Sequence, residues 1–375
     1  MNLVTIEKAS GYGRDEIKSA VIRLLEPLGG MDAFVKPGEK VLLKPNMLSA
    51  KPPEAAVTTH PEVLRAVIEL VLECGGLPLV GDSPGIGRCK AVAEKSGMME
   101  VIRETGAQLA VFEETVEVPG TGVFKRFELG RPYMESDRII NLPKLKTHEM
   151  MTITCSVKNL FGAVAGPAKI AWHLKAGVDR ELFARMLLEI YLLRKPDLNI
   201  VDAVTAMEGD GPGNGDPRHA GLLLAGTNPV AVDVIAAEIA GIPKKLLYVE
   251  RAAERLAMDG SDRSTIRTSG VPLDEAKTSG FRLPRSTDVQ WGLPPFLKNR
   301  LRRHLTSRPY ALEEKCRLCG ICRDACPPRA IKMENGTLIF DYDRCIRCFC
   351  CRELCPHGAL GAREGALARI IKKCI

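Results

Sequence analysis

Two cysteine runs constrain this chain more than anything else in it: Cys316-x2-Cys319-x2-Cys322-x3-Cys326-Pro327 and Cys345-x2-Cys348-x2-Cys351-x3-Cys355-Pro356. Three thiols at that spacing wrap three irons of one [4Fe–4S] cube, while the fourth, turned away by the proline, reaches the neighbouring cube. The spacing therefore predicts two [4Fe–4S] clusters. Cys316, Cys319, Cys322 and Cys355 would hold one, and Cys345, Cys348, Cys351 and Cys326 the other. Each run supplies a ligand to the other's cluster, so neither half closes its own site, and so small a core depends on metal to fold. Ala330-Ile331, Leu338 to Phe340 and Ala359-Leu360 supply apolar packing and short hairpin strands between the runs. Zinc fits this pattern poorly, because zinc sites pair two Cys-x2-Cys hooks into one four-coordinate closure. Cys350 is a spare thiol, expected to pack rather than to ligate. Cys74, Cys89, Cys155 and Cys374 read as buried structural thiols.

Nine of the thirteen cysteines lie between residues 316 and 355, at ligand spacing, so they read as thiolates rather than disulfides. The first residues, MNLVTIEKAS, lack a basic start followed by an apolar core, and no apolar run reaches the roughly 18 residues a membrane helix needs. The expectation is a soluble, cytoplasmic protein without a membrane contact. Net charge is +7, and Pro295 to Pro309 carries Lys298, Arg300, Arg302, Arg303 and Arg308 with no acid. Such a stretch solvates a linker or docks an acidic partner. Nucleic acid is not the expected partner, since two Trp and six Tyr leave few stacking platforms.

Ahead of the cysteines, residues 1–280 alternate strand-like and helix-like segments. Lys40 to Lys44, Leu77 to Val80, Gln108 to Phe112, Arg138 to Leu142, Leu198 to Val204 and Leu222 to Ala225 are apolar runs of strand length. Val63, Leu64, Val67, Leu70 and Val71 recur at helical spacing after His60-Pro61, and Glu181 to Leu193 and Pro229 to Ala240 also read as helices. Alternation of this kind predicts an α/β fold, a large mainly parallel sheet covered by helices. Residues 281–312 read as a basic Pro/Arg-rich linker, and 313–375 as a small α+β ferredoxin-type domain with two clusters. Ligands of parallel sheets sit beyond the carboxyl ends of the strands. Four polar groups fall at such ends: Lys44 to Asn46, Asp82-Ser83, the polar loop Pro143 to His148, and Asp202 to Glu208.

The strings KPN (Lys44 to Asn46), THPEVLRAVIEL (Thr59 to Leu70), GDSPG (Gly81 to Gly85), NLPKLKTH (Asn141 to His148), SVKNLFG (Ser156 to Gly162), VDAVTAMEGDGPGNG (Val201 to Gly215) and NPVAVD (Asn228 to Asp233) resemble the family called domain of unknown function 362. The resemblance spans roughly residues 38 to 270. It implies the architecture above, often joined to a C-terminal double-cluster ferredoxin, and leaves the reaction open.

The residues themselves narrow the chemistry. Lys44, Lys144, Lys146 and Lys158, with His148, form a cationic set suited to a carboxylate or phosphate. Of these, Lys144, Lys146, His148 and Lys158 are the candidate catalytic residues. His60, Asp82, His173, Asp202, Glu208, Asp210 and Asp233 are further acid–base or ligand groups; His60 and Asp233 are better suited to capping and structure. Glu208 to Gly215 is glycine-dense enough to bring amides to an anion, but it lacks the Lys-Ser/Thr ending of a P-loop. Three functions remain open: a redox enzyme passing electrons to an anionic small molecule, an electron carrier docking a soluble donor or acceptor protein, and a metal- or cofactor-handling protein.

Overall fold

A computed structural model describes residues 2–85, 87–166, 168–176, 179–278, 280–284 and 307–363. Most of the expected linker, with Lys298, Arg300, Arg302 and Arg303, lies outside the described residues, as does Cys374.

The large domain is built on one mixed, mostly parallel sheet. Its strands are β1 (Asn2–Lys8), β2 (Lys40–Pro45), β3 (Leu77–Val80) and β4 (Gln108–Leu109). After a separate hairpin, β5 (Thr115–Pro119) and β6 (Arg126–Gly130), come β7 (Arg138–Leu142), β8 (Lys144–His148), β9 (Thr152–Thr154), β10 (Leu198–Glu208), β11 (Asp216–Gly226) and β12 (Ile266–Gly270). The order is β12-β1-β11-β10-β7-β2-β3-β4, with β8 bridging β10 and β9. β1 and β10 both run antiparallel to β11.

Successive residues of the central strands point to opposite faces, and both faces are covered. Val41, Leu43 and Ile140 face the helices Arg14–Leu25, Pro61–Glu73, Cys89–Lys95 and Met98–Thr105, meeting Leu24, Leu64, Val67 and Ile102. Leu42 and Ile139 face Phe183, Leu187 and Ile190 of the helix Arg180–Leu193. Each fully buried Leu or Ile contributes about 1.5–3 kcal/mol. The helix Pro61–Glu73 starts where proline needs no N–H partner, and the His60 Nδ1 accepts from the Glu62 N–H at 3.2 Å.

One expectation is overturned. Lys144 to His148 is not a polar loop but strand β8, buried throughout. Pro143 has no N–H and ends the ladder of β7, yet the chain stays extended and pairs again, Lys144 with Asp202 and Lys146 with Met207 of β10. β10 and β11 run well past the apolar runs Leu198 to Val204 and Leu222 to Ala225, giving β8 a sheet to join.

In the cysteine domain β13 (Arg308–Ala311) pairs with β16 (Leu360–Arg363), and β14 (Ile331–Glu334) with β15 (Thr337–Phe340). Its two halves repeat in backbone as well as in sequence. Leu318 and Arg347, Gly320 and Phe349, and Arg329 and Gly358 occupy matching places and all have positive φ.

This domain rests on the large one. Arg352 pairs with Glu149 and, at 2.8 Å, with Asp210; Asn214 Nδ2 donates to the Arg352 carbonyl at 3.0 Å, and Lys51 Nζ to the Pro356 carbonyl at 2.9 Å. The glycine-dense stretch Glu208 to Gly215 thus serves as a docking loop. A Cβ at Gly213 would stand 2.8 Å from the Glu353 carbonyl oxygen, so a larger residue would push the two domains apart.

Candidate functional site

Cys316, Cys319, Cys322 and Cys355 surround one small space. Cys351 lies near Cys348, Cys345 and Cys326, with Cys322 of the other group also within electrostatic reach. Cys355 of the second run thus lies with the three leading thiols of the first, and Cys326 of the first lies near Cys345 and Cys348 of the second. Ala330 N–H donates to Cys326 Sγ at 3.2 Å, and Ala359 N–H to Cys355 Sγ at 3.3 Å, the same bond in each half. Burial, and then the neighbouring Cys355, push the Cys322 thiol up to about 11. Four thiols this close, Cys322 and Cys355 of them buried, cannot readily ionise together without cations among them. The donor set fits iron–sulfur binding.

Beside the second group of thiols lies a cavity of about 280 Å³ at the carboxyl ends of β2 and β3. Asp82, in its wall, is held from behind by the fully buried Lys44, Nζ to Oδ1 at 2.8 Å, while its Oδ2 accepts from the Met47 N–H at 2.9 Å. Gly162 lies directly over this pair: a Cβ there would clash with Asp82 Oδ1 and Lys44 Nζ. Gly162→Ala is expected to destabilise the protein by about 1–3 kcal/mol through overpacking. Urea unfolding of the variant tests this, and an unchanged midpoint would contradict it.

Three lysines reach the cavity. Lys146 Nζ donates to Asn46 Oδ1 at 2.9 Å and to the Val57 carbonyl at 2.7 Å, with no carboxylate in the pair. Burial pushes it down to about 7. Lys158, on the short helix Ser156–Asn159, is also lowered by burial, against the opposing pull of Glu353. Lys169 Nζ donates to the Ser83 carbonyl and, at 3.2 Å, to that of Pro84, and burial pushes it down to about 8. Desolvated ammonium groups held by neutral oxygens are poised to gain an anion. Cys350, Glu353 and Leu354, from the cysteine domain, line the same cavity.

The four candidate catalytic residues separate in space. Lys146 and Lys158 line the cavity. His148 is buried next to it: its Nδ1 accepts from the Met150 and Met151 N–H groups at 3.0 and 3.2 Å, and its Nε2 lies 3.7 Å from Glu353. Burial holds the ring well below the usual histidine range, so it is neutral. Lys144 does not line the cavity; it pairs with Asp202 at 2.7 Å and donates to Tyr12 Oη at 2.8 Å, and Tyr12 stacks on His60 at 3.5 Å. Asp233 accepts from the Ser156 and Val157 N–H groups at 2.6 and 3.0 Å, which fixes the turn carrying Lys158.

Lys169 was not among the candidates, although Lys169 and His173 stand four apart on the helix Ala168–Ala176 and so share a face. His173 packs between Phe161 and Phe183, and its Nδ1 is buried without a hydrogen-bond partner. The cavity continues past Asp82, Ser83 and Gly166 into an outer space of about 1020 Å³ bordered by Phe112 and Trp172.

The family described as "Domain of unknown function (DUF362)" matches residues 41–238, and a 4Fe-4S dicluster domain matches residues 315–359. The chain is similar to the "Thylakoid-associated protein sll1697" of Synechocystis sp., with 37% identity over 297 residues, 79% of this chain and 92% of that protein. It also matches the lactate racemase apoprotein of Thermoanaerobacterium thermosaccharolyticum over 64% of this chain and 57% of that one, at 11% identity and a TM-score of 0.43, a likeness too loose to carry an argument. Among the described residues no helix is long and apolar enough to cross a membrane.

Proposed function

From the premise that this chain belongs to the DUF362 family and carries a 4Fe-4S dicluster domain, we propose that it is a redox enzyme whose cavity binds an anionic small molecule. Two [4Fe–4S] clusters, bound at the eight thiols named above, would supply single electrons. The observation that carries this reading is the shared wall: Lys146, Lys158 and Lys169 on one side, Cys350, Glu353 and Leu354 of the cysteine domain on the other. A bound carboxylate or phosphate would accept from Lys146 and Lys158, and closure by Leu354 would exclude water around the ion pairs. His148 holds the Met150-Met151 turn and presents Nε2–H toward Glu353, so it positions the wall rather than touching the ligand. Lys144 serves the fold. Nine of the thirteen cysteines crowd between residues 316 and 355 in iron–sulfur ligand runs, which suits a reducing compartment such as the cytoplasm.

The electron-carrier reading puts its docking surface on the basic stretch around residues 298–308, and would leave a cavity lined by lysines without a task.

Chemically reduced protein, mixed anaerobically with a panel of small carboxylates, phosphates and sulfonates, should be reoxidised saturably by at least one of them. Lys146→Met and Lys158→Met should each raise its half-saturation about 10–100-fold, the range for a lost charge-assisted hydrogen bond. Absence of saturable reoxidation with every acceptor, or half-saturation untouched by both changes, would sink the reading. The pH dependence follows from Lys146. Its ammonium form, the one that binds an anion, is lost as pH rises through about 7. Affinity should therefore fall between about pH 6 and 9, and Lys146→Met should flatten that profile. A wild-type affinity independent of pH over that range would contradict it.

A further inference from the structure

Cys350 has no place among the eight thiols that pair by spacing, yet it is not a thiol lost in packing. Its Sγ, that of Cys348 and a ring nitrogen of His173 all lie within 4.8 Å of one another, and all three residues are buried. They come from opposite sides of the domain junction, Cys350 and His173 both facing the cavity. A second observation points to a ligand. His173 Nδ1 is buried without a hydrogen-bond partner, on a residue only 8% exposed. A buried ring nitrogen left so in a packed core calls for a water or an ion. Thr154 Oγ1, also buried without a partner, lines the same cavity.

We propose that Cys350, His173 and Cys348 hold a zinc-class divalent ion, with the Cys348 thiolate shared between that ion and the iron of its cluster. Two thiolates and one imidazole are the donor set of borderline-soft ions, and zinc is the ion common to both ligand types. Tetrahedral zinc at about 2.3 Å from sulfur and 2.0–2.1 Å from nitrogen sets donors about 3.5–3.8 Å apart. The three donors therefore need to close in by no more than about 1 Å on binding, within reach of side-chain rotation. Cys350 releases one proton as the ion binds; Cys348, already a thiolate on iron, releases none. Three protein ligands leave a fourth position open, the mark of a catalytic rather than structural zinc. That position faces the cavity of Lys146 and Lys158, so an anion there would meet both the ion and the lysines. The site needs the cluster thiolate of Cys348 but not the redox reaction proposed above.

The test is metal content and spectroscopy on the full chain. Protein reconstituted anaerobically until its iron content is constant is titrated with Co²⁺, then with Zn²⁺. The expected result is one Co²⁺ per chain, with thiolate-to-cobalt charge transfer and the intense visible bands of a tetrahedral ion, displaced by Zn²⁺. Cys350→Ala and His173→Phe, the second keeping a ring between Phe161 and Phe183, should each weaken Co²⁺ binding by at least about 100-fold, since even an outer-shell change costs 10–100-fold. Iron content should stay that of the parent. No tetrahedral cobalt signal in the parent protein overturns the proposal, as does undiminished binding in both variants. Loss of iron in the variants also overturns it, by assigning Cys350 and His173 to the cluster itself. A protein that binds cobalt in this way yet reduces no anionic acceptor would refute the redox-enzyme reading and leave this site standing.

Discussion

Replacing Asp202 by alanine is expected to cost about 3–5 kcal/mol of folding stability, the effect of stranding a buried charge. Asp202 is fully buried and accepts from Lys144 Nζ at 2.7 Å, Tyr12 Oη at 2.8 Å and the His60 N–H at 2.9 Å. Without it, Lys144 keeps only the Tyr12 hydroxyl, inside a core that penalises its ammonium form. The start of the helix Pro61–Glu73 also loses the carboxylate that anchors it from β10. The double variant Asp202→Ala with Lys144→Met should recover much of the loss, because a neutral side chain then replaces a stranded cation. Equilibrium unfolding in urea measures both. A single-variant loss below about 1 kcal/mol, or no recovery in the double variant, would show that the pair is not what holds β8 against β10.

Arg352→Ala is expected to release the cysteine domain from the large one. The Arg352 guanidinium joins Glu149 and Asp210, and its carbonyl accepts from Asn214, so one residue carries much of the polar contact across the junction. Breaking a buried ion pair costs about 3–5 kcal/mol, which shifts a docked-to-open ratio by roughly 10²–10⁴. Hydrogen exchange should rise in β8 and in the stretch from Glu208 to Gly215, and any saturable reoxidation by an anionic acceptor should slow. Arg352 also donates from Nε to the Leu360 carbonyl within its own domain, at 2.9 Å. Glu149→Gln tests the junction from the other side without touching the cysteine domain, and should raise exchange in the same segments with iron content unchanged. Exchange equal to the parent in both variants would mean that docking rests on other contacts.

The lysines show where reading a sequence stops short. Lys144 and Lys146 are two residues apart in one string, and charge alone gave them one role. The fold gives them different roles, because Asp202 stands opposite Lys144 on β10, whereas Lys146 meets only the oxygens of Asn46 and Val57. A lysine paired with a buried carboxylate is structural; one held by neutral oxygens has charge to give a ligand. Lys169 escaped notice because a lone lysine on an amphipathic helix reads as solvated, and only packing against Ser83 and Pro84 turns it inward.

What the chain determined by itself was local. Ligand spacing, a proline after each fourth cysteine, and apolar runs bounded by turns are properties of neighbouring residues, so the iron–sulfur motif and the α/β alternation were legible before any fold was known. Long-range contact decided the rest. Pro143 looked like the start of a loop, and became a break between two strands only because β10 extends far enough to pair with both. The cysteine domain looked like an appendage on a linker, and became one wall of a cavity because Arg352 finds Glu149 some two hundred residues away. Charge compensation and burial depend on partners that the order of the sequence does not place together, and only the tertiary structure supplies them.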